Sequence, residues 1–138
     1  MINTLTLQTT GPGLYEFTRD AARSIPDGAS GMLTLFCRHT SASLTIQENA
    51  DPDVTRDLNA FFTRLVPRAD EPSMSYLRHR TEGPDDMPAH VRTALTAVNL
   101  SIPVTGGHLA LGTWQGIYLW EHRHAGHSRK VTVHVMGE

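Results

Sequence analysis

Cysteine is nearly absent from this sequence, with Cys37 alone among 138 residues. A single thiol excludes an internal disulfide and any zinc module built on paired cysteines. The N-terminus, MINTLTLQTT, has no basic stretch followed by an apolar one, so the expected location is the reducing cytoplasm. Long apolar runs are missing too: hydrophobic residues make up 39% and mean hydropathy is −0.28, which speaks against a membrane protein. Nor does one sign of charge dominate, since 12 lysines and arginines against 14 aspartates and glutamates leave −2. Without a basic field to follow a phosphate backbone or an anionic bilayer, neither nucleic acid nor membrane is an expected partner. Prolines and glycines fall as short punctuation and no repeat or linker divides the chain, so residues 1–138 read as one domain. A chain of this length can bury about 68–70% of the surface that its unfolded form exposes.

Histidine is what the sequence has in quantity, with 8 residues. Imidazole titrates near neutrality and ligates metals, so function is sought first where histidines meet other polar groups.

Alternation of Leu5 and Leu7 with Thr4, Thr6 and Gln8 predicts a half-buried strand, ended by Gly11-Pro12-Gly13. Tyr15 to Ser24 reads as a short helix. The run from Gly31 to Cys37 is apolar on both parities, the pattern of a central strand covered on both faces. Asp51-Pro52-Asp53 supplies a cap, a proline for the first turn and an acid. The helix it opens carries Val54, Leu58, Phe61, Phe62 and Leu65 at helical spacing and stops before Pro67. A second helix is expected from Asp85-Asp86-Met87-Pro88, with Val91, Leu95 and Val98 on one face, ending at Ile102-Pro103. Leu109–Leu111, Ile117–Trp120 and the alternating Val131, Val133 and Val135 predict strands, the last two joined by a hairpin turn at His124-Ala125-Gly126-His127. Two or three short helices in blocks apart from a mixed, mostly antiparallel sheet make the fold class α+β.

Three segments carry the residue types of a site. His39-Thr40-Ser41-Ala42-Ser43 offers an imidazole and three hydroxyls at a strand exit, suited to an anion or a metal. Local bonds from hydroxyl to backbone in a turn would account for the same residues. The stretch His79 to His90 packs two histidines with Glu82, Asp85 and Asp86. The partial positive charge of a helix N-terminus there disfavours imidazolium at His90 and leaves its nitrogens to a metal or a proton. Asp85 or Asp86 also suits a helix cap, and the eleven-residue separation of the histidines matches no sharp zinc signature. In Gly112-Thr113-Trp114-Gln115-Gly116 the glycines admit a close backbone approach to a ligand, or mark a bulge. Further along, Glu121 and Arg129 are placed to pair across the expected hairpin. Glu48 and Asn49 stand on the loop before the first long helix.

Taken together, His39-Thr40-Ser41-Ala42-Ser43-Leu44-Thr45 with Glu48-Asn49, Glu82 through His90, and Gly112 through Ile117 with Glu121-His122-Arg123 resemble the YjbQ family over nearly the whole chain. The resemblance implies a small α+β homotrimer with a histidine-lined pocket for a metal and an anion. It also implies a weak or secondary thiamine-phosphate synthase activity, a transferase reaction that joins a pyrimidine diphosphate to a thiazole phosphate and releases pyrophosphate. Carried over by position, His39, His79 and His90 are the metal ligands, and Glu48, Asp85 and His90 the catalytic groups. Thr40, Ser41, Ser43, Asn49, Trp114, Gln115 and Glu121 line the substrate and anion pocket. Gln47 and Asp86 each stand where many members carry Asn, and Arg80 where some are acidic, which bears on pocket charge. The implied cofactor is a divalent transition metal, zinc first, with Mg2+ the alternative for a diphosphate substrate. The implied partner is a small phosphorylated metabolite. A noncatalytic protein that sequesters a metal or such a metabolite is the alternative from another class, separated from an enzyme by turnover.

Overall fold

A computed structural model describes residues 2–137. Strands β1 (Ile2–Gln8), β3 (Gly31–Cys37), β5 (Asn99–Thr105), β6 (His108–Leu109) and β8 (Ser128–Gly137) form an antiparallel sheet in the order β1-β8-β3-β5-β6. A smaller antiparallel sheet has β7 (Gln115–Glu121) between β2 (Gly13–Glu16) and β4 (Ala42–Glu48). Leu33, Leu35, Ile102, Val131 and Val133 of the large sheet form one buried cluster with Ala42, Leu44, Ile117 and Leu119 of the small one. Helix α1 (Thr18–Arg23) adds Ala21 to that cluster. The opposite face of the small sheet lies under helices α2 (Pro52–Leu65) and α3 (Asp86–Leu95), where Phe62 meets Trp120 edge-on with ring centroids 4.5 Å apart. The α+β class and the mostly antiparallel pairing agree with the sequence.

Helix α2 begins as its sequence dictates: Asp51 accepts the Asp53 amide at 2.9 Å, Pro52 occupies the first turn, and the helix ends before Pro67. Other segments differ from expectation. Within Tyr15–Ser24 the helix is only α1, because Leu14 and Tyr15 are taken up by β2 pairing with Trp120 and Leu119. Strand β3 is covered on one face only: Leu33, Leu35 and Cys37 are buried while Met32 and Phe36 are exposed. Helix α3 stops at Leu95, and Ile102-Pro103 lies in β5. Along β5, the β6 partner reaches only Val104 and Thr105, so Pro103 sits at a sheet edge where a missing N–H is tolerated. The buried stripe of α3 is Pro88, Ala89, Arg92 and Thr93 rather than Val91 and Leu95. Finally, 124–127 is no hairpin, since it carries the chain from β7 in one sheet to β8 in the other. There Gly126 passes so close to the Thr9 carbonyl that any Cβ would collide with it.

Candidate metal site

Helix α3 and the loop before it bring three donors together. Asp86 and His90 are one turn apart on α3, so their side chains share a face. The loop returns His79 to that face, and its Nε2 lies 2.7 Å from Asp86 Oδ2. His90 Nε2 lies 3.1 Å from the same oxygen. The two imidazole nitrogens and the carboxylate oxygen all fall within 4.8 Å of one another. Asp86 is buried, His79 is exposed and His90 half-buried, so the donors meet at the surface rather than in the core.

The surroundings decide which atoms can ligate. His90 Nδ1 lies 2.8 Å from the Thr40 carbonyl, which only accepts, so Nδ1 carries the proton and Nε2 is the nitrogen left for a metal. Arg123 holds the other oxygen of Asp86, with Nη1 3.0 Å from Oδ1. Burial alone raises the Asp86 carboxyl, but the hydrogen bond with His79 and the charges of His90 and Arg123 hold it below its ordinary range. Asp86 is therefore anionic at neutral pH and available as an oxygen ligand. Two imidazoles with one carboxylate form a borderline-soft set that suits zinc and other transition ions and leaves coordination positions open.

Asp85 is not a side-chain cap of α3. Its Oδ2 accepts Arg123 Nε at 2.8 Å and the His124 amide at 2.9 Å, which outweigh burial and lower its carboxyl. The acid thus ties the start of α3 to the turn after β7. His39 stands apart from the trio, with its Nε2 accepting the Lys130 amide at 2.8 Å. Burial disfavours its charged form.

The remaining expected site residues divide between two ends of the small sheet. At the start of β4, Thr40 positions His90, while Ser41 receives Arg129 Nη2 on its hydroxyl at 3.1 Å and on its carbonyl at 3.2 Å. Ser43 Oγ lies 2.8 Å from Nε2 of buried His122. Glu121 forms a fully buried ion pair with Arg129 and also accepts the Thr9 hydroxyl at 2.7 Å and the Arg123 amide at 3.0 Å. That expected Glu121–Arg129 pairing exists, although it bridges the two sheets rather than the arms of a hairpin. These bonds overcome burial and keep the Glu121 carboxyl low.

Glu48, Asn49, Trp114 and Gln115 lie at the far end of β4 and β7, with Glu48 about 20 Å along the strand from Ala42 by the usual rise per residue. There Glu48 Oε2 accepts the Asp51 amide at 3.1 Å, Asn49 donates to Glu16 at 3.1 Å, and the Gln115 side chain accepts the Gly112 amide at 2.7 Å. Trp114 is exposed, and the space beside Gly116 is taken by Glu16 and Asn49. Within one chain, Glu48 is therefore not brought to His90. Asp86, which the sequence offered as a cap, is the group at the centre of the cluster; its i, i+4 spacing to His90 was the signal for it.

A family model described as UPF0047 protein YjbQ-like matches residues 3–138. The chain is similar to UPF0047 protein sll1880 of Synechocystis, with 52% identity over 136 residues, covering 97% of this chain and 90% of the relative. It is also similar to UPF0047 protein YjbQ of Escherichia coli O157:H7, with 40% identity over 138 residues and coverage of 98% and 96%. Among solved structures, a conserved hypothetical protein of Thermus thermophilus superimposes with a TM-score of 0.86 at 34% identity, covering 97% of this chain and 99% of that one. These findings correct the expected thiamine-phosphate synthase function: they establish membership of a family of uncharacterised function, and none of these descriptions carries that activity.

Proposed function

Starting from a chain that belongs to the UPF0047 YjbQ-like family, we propose that its function centres on one divalent transition-metal ion held by His79, Asp86 and His90. The convergence of those three donor atoms within 4.8 Å carries this reading. His39, implied as a ligand by the family resemblance, is replaced in it by Asp86. Zinc is the favoured ion, because two imidazoles are poor partners for Mg2+, which prefers oxygen. When bound, such an ion supplies Lewis acidity toward an oxygen ligand and lowers the pKa of coordinated water. The chain's own residues do the rest: Thr40 fixes the His90 ring, Arg123 orients Asp86, and Asp85 anchors Arg123. We further propose an enzyme acting on a small phosphorylated molecule rather than a storage protein, on the ground that three protein ligands leave open positions.

The outer face of the large sheet supports the homotrimer implied by resemblance. Ile2, Met32, Phe36 and Met136 are all exposed there, on paired strands β1, β3 and β8, as expected of a face that another copy covers. Among the described residues no helix is long and apolar enough to cross a membrane. The one thiol, free and buried Cys37, fits a cytoplasmic location.

The test is elemental analysis of protein made without a histidine tag, wild type beside His90→Ala, followed by assay of a simple aryl phosphate. About one transition metal per chain, lost in the variant, and metal-dependent turnover support the proposal. A wild type that holds no metal after reconstitution overturns the site; stoichiometric metal without turnover overturns the enzyme and leaves a binding protein.

A further inference from the structure

On the other side of α3 from the histidine cluster, the helices and the small sheet enclose a cavity of about 240 Å³. Its wall includes Arg92 and His122, each more than nine-tenths buried, together with Asn59, Thr63, Arg68 and His124. Arg92 is a buried cation whose compensation is incomplete. It donates from Nη2 to the Val66 carbonyl at 2.8 Å, while its Nε–H has no partner. Among the described residues, the ion pairs nearby run from Arg123 to Asp85 and Asp86 and from Arg129 to Glu121, and Arg92 joins none of them. Asp85 also touches the cavity, but its Oδ2 is committed to Arg123 and the His124 amide.

His122 has the same incompleteness. Its Nε2 is satisfied by Ser43 at 2.8 Å, and its Nδ1 is buried without a partner. An anion beside Nδ1 would select the tautomer in which the Ser43 hydroxyl donates to Nε2 and Nδ1 carries the proton. Asn59 accepts Trp120 Nε1–H on Oδ1 at 3.1 Å, so its amide nitrogen is the end left as a donor. Arg68 stands at the rim, where it contacts Asp70 at 3.3 Å. A buried guanidinium and a buried imidazole nitrogen left unpaired are each costly, and both residues wall the same cavity, where an anion would offset the uncompensated charge of Arg92. The cavity is smaller than the roughly 300–1,000 Å³ of drug-sized ligand sites, which sets the scale of the occupant at a small oxyanion.

We propose that this cavity binds a phosphate-sized oxyanion, as a free ion or as the phosphoryl end of a small metabolite, with Arg92 and His122 as its buried donors and Arg68 at its entrance. This site is distinct from the hydroxyl set at Thr40 and Ser41, and it does not rest on the metal proposal. The experiment uses the full chain in buffer with a chelator, so that phosphate held by a metal cannot be mistaken for it. Inorganic phosphate is titrated by calorimetry and by following the His122 ring resonances in NMR, with acetate at matched ionic strength as the carboxylate arm.

The expected result is saturable binding of one phosphate per chain, with movement of the His122 ring signals. Binding should weaken by about tenfold or more in Arg92→Met, which keeps the length of the side chain. It should weaken by a few-fold in Arg68→Ala, a surface change that spares the fold if the Arg92 variant does not survive. Absence of saturable phosphate binding overturns the proposal. So does binding that leaves the His122 signals unmoved and is equal in wild type and Arg68→Ala. A preference for acetate over phosphate overturns the assignment of the oxyanion.

Discussion

Two carboxylates, Asp86 and Glu121, have histidines nearby and are built to opposite ends. At the surface, His79 and His90 share one oxygen of Asp86, with their rings open to solvent on one side. In the interior, Glu121 is closed off with Arg129, Thr9 and the Arg123 amide, and neighbouring His122 turns to the other face of β7, beneath the helices. Both acids have lowered carboxyl pKa values. The difference lies in who answers the charge. Glu121 has a permanent guanidinium beside it and needs nothing more, so it locks the ends of two sheets together. Asp86 has the Arg123 guanidinium on Oδ1 alone and shares Oδ2 with two imidazoles, whose protons a metal ion can replace, so that oxygen belongs to a site that exchanges ligands with solvent. Exposure and the identity of the counter-charge, rather than the presence of histidine and acid, separate a structural network from a functional one.

Breaking the interior network should have the largest effect. Glu121→Ala leaves Arg129 buried without its acid, and stability in urea denaturation is expected to fall by about 3–5 kcal/mol. Metal affinity of the folded fraction should be unchanged. Arg123→Met acts on the surface site instead, where it frees Asp86 to rotate. Loss of such an outer partner usually costs about 10–100-fold in metal affinity, and relief of repulsion between guanidinium and metal offsets part of it. The expectation is therefore about a tenfold weaker zinc Kd by competition titration, near the lower limit.

The two histidine environments also differ in pH response. Burial, then the charge of Arg92, lowers His122 to about 3. The unfolded chain takes up that proton near pH 6.5, so the stabilisation is complete above that value. It declines as pH falls toward 3, by at most about 1.4 kcal/mol per pH unit. Urea midpoints across pH 6 to 4 should show this slope in the wild type and a shallower one in His122→Gln. The smallest effect is expected of His39→Ala. Stability should drop by about 1 kcal/mol for the lost bond to the Lys130 amide, with zinc affinity unaltered. A large loss of zinc affinity in that variant would return His39 to the ligand set and redraw the boundary of the surface site.

Much of the fold is legible in the chain because it rests on local signals. Asp51-Pro52-Asp53 starts α2 with its own cap, and Leu5, Leu7, Val131 and Val133 alternate as sheet residues must. What is not legible depends on partners distant in sequence. Nothing local distinguishes a turn within one sheet from a turn between two, so 124–127 resembles a hairpin while joining separate sheets. Val91, Leu95 and Val98 fit a helical face, but tertiary packing gives the buried stripe to Arg92 and Thr93, two polar residues, and starts β5 at Asn99.

The site divides along the same line. His79 and His90 are marked by their motif, and Asp86 by its spacing to His90, yet which of these donors meet is fixed by the fold of the loop from 79 to 85. His39 lies on the same side of the sequence motif as Thr40, and the chain direction sends it to Lys130 while the Thr40 carbonyl goes to His90. Arg92 carries no sequence signal and His122 only its place in the Glu121-His122-Arg123 motif; their burial without full compensation is revealed by packing alone.

The most direct test of the metal assignment is anomalous diffraction from crystals of the wild-type chain equilibrated with one equivalent of zinc. The account predicts a peak bounded by His79 Nε2, His90 Nε2 and an oxygen of Asp86. A peak at His39, or at His124 and His127, with the trio on α3 empty would contradict it.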